Sequence, residues 1–172
     1  MKRKQLWCAA AVLVMAASPL SSHAQNFSPW YLGLKAGWMD ADASNFDEAT
    51  NLGLYGGYTL HDDASGRFAL EGEYTRTISD GDIPGGGWDI ETLAVYGAYR
   101  TAGPWFLKIK AGYLDEDISV SAGGSSIAGS DSGFSFGAGG GVRLSNKAAF
   151  ELEYTVIEED VNFFSIGYLT HF

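Results

Sequence analysis

Four glutamates occur as two pairs whose members are separated by a single residue: Glu71 with Glu73, and Glu151 with Glu153. Residues two apart on a β-strand point to the same face, so each pair would place two carboxylates side by side. Neighbouring carboxylates are the groups that general acid–base catalysis uses. They also occur in buried networks of ion pairs, so the basic residues of the chain decide between the two interpretations.

Four basic residues lie on the polar faces of other alternating segments: Lys35, Lys108, Lys110 and Arg143. Burying a charge is costly unless an opposite charge accompanies it. Four carboxylates and four basic groups can neutralise one another. We therefore predict that these eight residues form a charge network inside the protein and that they are not catalytic.

The three histidines are poorly placed for nucleophilic catalysis. His23 lies near the N-terminus, His61 in a predicted short turn, and His171 next to the C-terminus. Ser165 precedes His171 by six residues on one predicted strand, a separation of about 20 Å in extended chain. A serine nucleophile needs a histidine within hydrogen-bond distance, so we predict that the protein is not an enzyme.

The N-terminal segment has the order of a secretory signal peptide. Three basic residues precede an apolar run over residues 6–17, and small residues lead to Ala24. The run is shorter than the ~20 residues that a membrane-spanning helix requires. We predict cleavage after Ala24, giving a signal peptide (residues 1–24) and one domain (residues 25–172). Cys8, the only cysteine, would leave with the signal peptide.

The charge of the chain argues against nucleic-acid binding, which needs a basic face. The sequence carries 21 acidic and 11 basic residues. Removal of residues 1–24 takes away three basic and no acidic residues, which leaves a formal net charge of −13. The partners of such a domain are not expected to be nucleic acids.

Eight segments alternate between apolar and polar residues, the pattern of half-buried β-strands. They are residues 30–39, 50–60, 67–78, 88–100, 105–114, 133–144, 149–157 and 161–172. Aromatic residues lie near the ends of the apolar faces, as interfacial girdles require. These are Trp30, Trp38, Tyr58, Tyr74, Tyr99, Trp105 and Tyr113. The charged residues and many glycines occupy the opposite faces, the inverse of a soluble barrel.

These patterns predict an all-β fold, an eight-stranded antiparallel up-and-down transmembrane β-barrel with a polar interior filled by side chains. A soluble β-sandwich with one wet face is the alternative. Short connections over residues 61–66, 101–104 and 145–147 alternate with longer ones, of which residues 115–132 form the longest. We expect both termini and the short turns to be periplasmic and the long loops extracellular.

The predicted long loops contain 15 of the 21 acidic residues and no lysine or arginine among them. The acids are Asp40, Asp42, Asp47, Glu48, Asp80, Asp82, Asp89, Glu91, Asp115, Glu116, Asp117, Asp131, Glu158, Glu159 and Asp160. They could provide solubility and repel anionic lipopolysaccharide, or they could bind Ca²⁺ or Mg²⁺ through carboxylate oxygens. The weak candidates for such a metal site are Asp115, Glu116, Asp117, Glu158, Glu159 and Asp160.

The chain resembles the small eight-stranded outer-membrane β-barrels of the porin-like or opacity-protein type. The resemblance rests on residues 30–38, 53–58 and 150–155, the last echoed in residues 68–75. It covers essentially all of residues 27–172 and concerns fold and location more than activity, because such barrels differ mainly in their loops.

The last strand also resembles the assembly signal of outer-membrane barrels. Apolar and aromatic residues alternate towards a final phenylalanine, and Thr170 is a weaker match than the usual residue there. The positions that carry the resemblance are Phe164, Ile166, Tyr168 and Phe172.

The resemblance implies a location in the Gram-negative outer membrane and contact with its lipid and lipopolysaccharide. It also implies insertion by the barrel-assembly machinery, and we expect a monomer without a cofactor, with divalent cations as possible loop ligands. A structural or surface-interaction role is the predicted function. A narrow, low-conductance porin and a lipid A-modifying enzyme are the alternatives.

Overall fold

The computed structural model describes residues 28–41, 46–158 and 161–172, which form nine β-strands. The predicted signal peptide lies outside these residues. The strands are β1 (Trp30–Ala41), β2 (Ala49–Asp62), β3 (Gly66–Ser79), β4 (Gly81–Ile83), β5 (Gly86–Thr101), β6 (Trp105–Ala122), β7 (Ser125–Arg143), β8 (Ala148–Glu158) and β9 (Val161–His171).

The strands form one closed antiparallel sheet. β1 pairs with both β2 and β9, while β5 pairs with both β3 and β6. The short β4 follows β3 after a break at Asp80 and pairs with the beginning of β5. Eight strands therefore make up the wall, which confirms the predicted barrel. None of the described residues belongs to a helix that could cross a membrane.

The two ends of the barrel differ. At one end, here called the turn end, residues 63–65, 102–104 and 144–147 connect the strands. The two chain termini meet there, where the Ser28 amide donates to the Phe172 carbonyl at 3.3 Å. At the opposite end, here called the hairpin end, β5, β6 and β7 extend far beyond β8.

The prediction of a loop over residues 115–132 is wrong. These residues are the outer halves of β6 and β7, paired from Asp115 with Ser132 to Ala122 with Ser125. Only Gly123 and Gly124 turn the chain, with φ angles of 59° and 81° that other residues rarely adopt. The hairpin continues for roughly 30 Å along the strand beyond Tyr113, at the usual rise per residue.

The outer wall is apolar. Large hydrophobic side chains from all eight wall strands are exposed on it, among them Leu34 on β1 and Leu107 on β6. Soluble monomers rarely expose a continuous apolar surface of this extent, whereas lipid requires one. Aromatic residues border the band at both ends, with Trp30 and Trp105 at the turn end and Trp38 at the hairpin end.

Glycines on the inner wall make room for the large interior side chains. A Cβ added to Gly33 would overlap the ring of Tyr55, which is itself buried. On β2, a Cβ at Gly53 would lie 2.8 Å from Cγ of Lys35. The alternation of glycine with polar residues thus reflects an interior in which large side chains lie over the glycines of the neighbouring strand.

Candidate functional site

The interior holds a charge network of two layers. In the layer nearer the hairpin end, Lys35 on β1 contacts Glu73 on β3 and Glu153 on β8, each at 2.7 Å. Lys110 on β6 contacts the same two carboxylates at 2.8 Å. Each glutamate of this layer therefore contacts both of its ammonium groups, and all four side chains are at least 97% buried. The Lys110 ammonium also lies 4.1 Å from the ring centroid of Tyr96.

The second layer lies nearer the turn end and is centred on Arg100 of β5. Its Nε contacts Glu151 at 2.6 Å, and its Nη2 contacts Glu71 at 2.5 Å. Lys108 joins the same two carboxylates at 3.1 and 3.2 Å and reaches Glu153 of the first layer at 2.7 Å. Two tyrosine hydroxyls complete the hydrogen bonding: Tyr31 donates to Glu71, and Tyr55 donates to Glu151.

Seven of the eight predicted network residues come together, and Arg143 does not. Arg143 instead donates to the backbone carbonyls of Thr101 and Gly103 near the turn end. Arg100 provides the fourth base. The sequence contained the signal for it, because assigning Leu93 and Tyr99 to the lipid face of this strand places Arg100 on the inner face.

Hydrophobic side chains fill the interior between the network and the hairpin end. Trp88 and Ile90 of β5 are buried there against Leu114 of β6 and Phe163 of β9. The Trp88 indole nitrogen donates to the carbonyl oxygen of Asp47 at 2.9 Å. The prediction of a polar interior therefore holds for only part of its length. The apolar layer went unrecognised because its residues alternate with charged ones outside the lipid band.

The network and the apolar layer occupy successive levels of the barrel interior. Within the network each carboxylate is held by two or three bases at short distance, which removes the spare proton-accepting capacity that acid–base catalysis needs. A cavity between Tyr31, Arg100 and His171 has a volume of about 20 Å³, room for about one water molecule. Ser165 faces the interior of β9 in the middle of the wall, and His171 ends the strand, so the two remain far apart.

Outside the lipid band, part of the barrel wall continues as a projecting sheet. It consists of β4 with residues 86–92 of β5, 115–122 of β6 and 125–132 of β7. Asp89 and Glu91 share its outer face with Asp115 and Asp117, and Glu91 lies directly opposite Asp117.

Like charges directly opposite on a sheet repel each other, and the neighbouring carboxylates shift the pKa of Asp89. Burial, with the carboxylates of Asp80 and Glu91, raises the pKa of Asp89, while Arg76 opposes the shift. The outer face of the projecting sheet is therefore a region of negative potential.

The structure separates three of the six candidate metal ligands, those on β6. Strand alternation buries Glu116 and exposes Asp115 and Asp117 on the opposite face, so the three cannot surround one ion. Glu159 and Asp160 lie outside the described residues, as does Asp42, and only the backbone of Glu158 is described. No group of three or more His, Cys, Asp or Glu residues that could hold a metal occurs in the described part of the chain.

The remaining predicted loop acids are distributed along the hairpin end. Asp40 belongs to β1, Asp82 to β4 and Asp131 to β7. Asp47 and Glu48 lie in the connection to β2, where the Asp47 amide donates to the Asp82 carbonyl at 2.9 Å. Most of these acids therefore lie on or beside ordered strands.

The four positions of the predicted assembly signal share the outer surface at β9. Phe164, Ile166, Tyr168 and Phe172 are exposed, and Tyr168 packs edge-on against Phe150 of β8. Residues that alternate along a strand in this way present a single apolar face to lipid.

The closed wall, its apolar outer face and its ion-paired interior define an integral membrane β-barrel. The chain belongs to the family of the outer membrane protein β-barrel domain, whose model matches residues 8–172. This membership locates the protein in the outer membrane. No curated protein matches the chain.

Solved structures of other bacterial barrels are similar in fold. Neisserial surface protein A, from Neisseria, is 17% identical with a TM-score of 0.64 over 86% of this chain and 100% of that one. Ail, the attachment invasion locus protein of Yersinia pestis, is 16% identical with a TM-score of 0.58 over 83% and 96%. The N-terminal β-barrel domain of Pseudomonas aeruginosa OprF has the same identity and TM-score over 83% and 97%.

An outer membrane enzyme, PagL, is also similar, at 16% identity and a TM-score of 0.52 over 81% of this chain and 98% of that one. Identities this low concern the fold alone.

Proposed function

We propose that the protein is a non-conducting outer-membrane barrel that presents an acidic β-sheet at the cell surface, with a structural or surface-interaction role. The supporting observation is the combination of a filled interior with a projecting sheet whose outer face carries Asp89, Glu91, Asp115 and Asp117. A barrel that carried solutes would need an open path, whereas ion pairs and apolar side chains fill the interior of this one.

The hairpin end faces the exterior in this proposal, and the turn end faces the periplasm. Short turns on the periplasmic side and longer connections outside are the usual arrangement of bacterial barrels. The mature chain begins at Gln25 after signal cleavage, which N-terminal sequencing of the membrane-fraction protein tests. Outer-membrane lipid, lipopolysaccharide and the assembly machinery are its expected partners, and it works as a monomer.

Conductance in a planar lipid bilayer tests the closed state. The refolded protein is expected to give no discrete current steps at moderate voltage, because both charged layers and the apolar layer cross the interior. Reproducible steps would contradict the proposal and support the narrow porin. A matched preparation of an established porin shows that the bilayer can report a channel.

Labelling of single cysteines tests the orientation. Ser121 lies in the projecting sheet and Asn146 in a connection at the turn end, and each is replaced by cysteine in a separate variant. A membrane-impermeant maleimide is expected to label Ser121→Cys on intact cells and Asn146→Cys only after permeabilisation. The reverse result would place the acidic sheet in the periplasm and remove the surface role.

Mass spectrometry of lipid A tests the enzymatic alternative. Lipid A from a strain that overproduces the protein is expected to match that of a strain with the empty vector. A new acylation or deacylation product would overturn the non-enzymatic role.

A further inference from the structure

One edge of the projecting sheet has no neighbouring strand within the residues that the structure describes. β7 pairs with β6 from Ser125 to Val142, but its pairing with β8 begins only at Phe136, opposite Val156. Among the described residues, no strand pairs with the other edge of residues 125–135. In an antiparallel ladder alternate residues point their N–H and C=O groups to that side, so the edge offers unpaired donors and acceptors.

Features that normally protect a sheet edge are missing here. Natural edges carry lysine, proline or bulges, or they are covered by other elements. Residues 125–142 contain no proline, lysine or arginine, and Asp131 is their only charged residue. Residues 125–132 are all exposed, including Ile127 at 77%. The edge is therefore both accessible and able to accept another strand.

We propose that this free edge of β7 binds an extended basic peptide segment as an added antiparallel strand. The inference rests on the proposed surface orientation, which makes the edge available to partners outside the cell. Backbone hydrogen bonds to the edge supply the affinity in such complexes, and alternate side chains supply the specificity.

The outer face of the edge explains why the segment is basic. On this face residues 126–132 of β7 carry only small side chains, Ala128, Ser130 and Ser132 among them. Asp117 lies opposite Ser130 and Asp115 opposite Ser132 on the next strand. An added strand would lie about 10 Å from these carboxylates at the usual strand spacing. A lysine or arginine side chain can cross the small residues and reach them.

The inner face adds a second requirement. There Asp131 and the exposed Ile127 belong to β7 itself, so each would be a direct cross-strand neighbour of the added segment. The preferred segment therefore alternates basic residues over the acidic face and carries a basic and an apolar residue on the other face.

Chain direction argues against a second copy in the same membrane. Every copy inserts with the same orientation, so β7 runs in the same direction relative to the membrane in all of them. Two such edges could meet only in parallel, which is the less stable arrangement. Anionic lipopolysaccharide is repelled by the acidic face, which leaves a free polypeptide segment as the occupant.

The test uses the full mature chain, refolded in lipid nanodiscs, and a fluorescent synthetic peptide with lysine on one alternating face and valine, threonine and one lysine on the other. Fluorescence anisotropy measures binding, and hydrogen exchange measures protection of the amides of residues 125–134. We expect saturable binding together with new protection confined to this edge.

Three controls separate strand addition from simple charge attraction. A peptide of the same sequence with alternate amides N-methylated keeps its charge but cannot pair along one edge, and it is expected to bind at least about tenfold more weakly. The variant Asp115→Asn/Asp117→Asn/Asp131→Asn keeps the edge but is expected to lose about tenfold in affinity for the unmodified peptide. A variant in which a short turn replaces residues 117–130 is expected to lose saturable binding.

Equal binding of the N-methylated peptide, or binding without new amide protection, would overturn the proposal. Retained binding by the shortened variant would also overturn it, as would edge protection that depends on protein concentration without peptide. Failure here leaves the closed, surface-exposed barrel intact, because conductance and cysteine labelling report on that function separately.

Discussion

The guanidinium of Arg100 lies against the carboxylate of Glu151, with Nε 2.6 Å from Oε1. The same guanidinium contacts Glu71, so one side chain compensates two buried carboxylates. Replacing it removes the charge and leaves both carboxylates with Lys108 as their shared base.

We therefore expect Arg100→Met to lower the free energy of unfolding by about 3–5 kcal/mol, measured by urea titration in detergent micelles. Arg143→Met is the matched control, since that guanidinium donates only to backbone carbonyls in the described contacts, and its loss is expected to cost about 1 kcal/mol. Equal losses would contradict the central position of Arg100.

The hairpin-side layer predicts energetic coupling between Lys35 and Glu73, which are 2.7 Å apart. A double-mutant cycle with Lys35→Met and Glu73→Gln tests this. The double variant is expected to lose about 0.5–3 kcal/mol less free energy of unfolding than the two single variants lose together. Additive losses would mean that the two side chains do not compensate each other.

Because Gly33 lies against Tyr55, adding one methyl group there is expected to lower stability more than adding one to a glycine on the lipid face. Gly33→Ala places a Cβ inside the tyrosine ring volume and is expected to destabilise the barrel by about 1–3 kcal/mol. Gly72→Ala, on the lipid face with nothing within 4 Å of the added Cβ, is expected to stay within about 0.5 kcal/mol of wild type. Denaturant titration of both variants decides whether the inner wall is as tightly filled as described.

Removing a large side chain from the apolar layer is expected to lower the stability of the barrel without making it conduct. Trp88→Ala removes a fully buried indole and is expected to cost about 3–5 kcal/mol. Bilayer recordings are expected to stay silent, because both charge layers remain beneath the new cavity. Current steps from this single variant would mean that the charged layers do not block passage.

The pKa of Asp89 predicts that the projecting sheet is more stable in mild acid. A carboxyl group whose folded pKa is raised binds its proton more tightly in the folded state, so its contribution is present at low pH and is lost as the pH rises through the folded pKa. Hydrogen exchange over residues 86–92, corrected for intrinsic rates, is expected to slow on acidification in wild type. Asp89→Asn is expected to lose part of this pH dependence, and an unchanged dependence would contradict the assignment.

The wall of the barrel was predictable because lipid and interior impose opposite chemistry on alternate residues. Leu34 and Lys35 illustrate this: the first is 58% exposed to the outside and the second is 4% exposed. Period-two alternation therefore located all eight wall strands, and the acidic connections marked the hairpin end.

Two parts of the site were not predictable in the same way. Arg143 and Arg100 are each the last inward-facing residue of their strand. Which carboxylates they contact depends on the register of strands across the barrel, and alternation within one strand does not encode that register. The outer halves of β6 and β7 carry polar residues on both faces, so the hydrophobic signal that identifies a strand is absent over residues 125–133.

The length of the β6–β7 hairpin also bears on biogenesis. With the hairpin end outside, residues 114–133 have to be translocated across the bilayer while the barrel closes, and they carry Asp115, Glu116, Asp117 and Asp131. Charged groups cross hydrocarbon at a high energetic cost, so passage of this hairpin sets a kinetic barrier that the lipid-facing strands do not share. In the proposed orientation we therefore expect a shorter β6–β7 hairpin to speed the maturation of the chain.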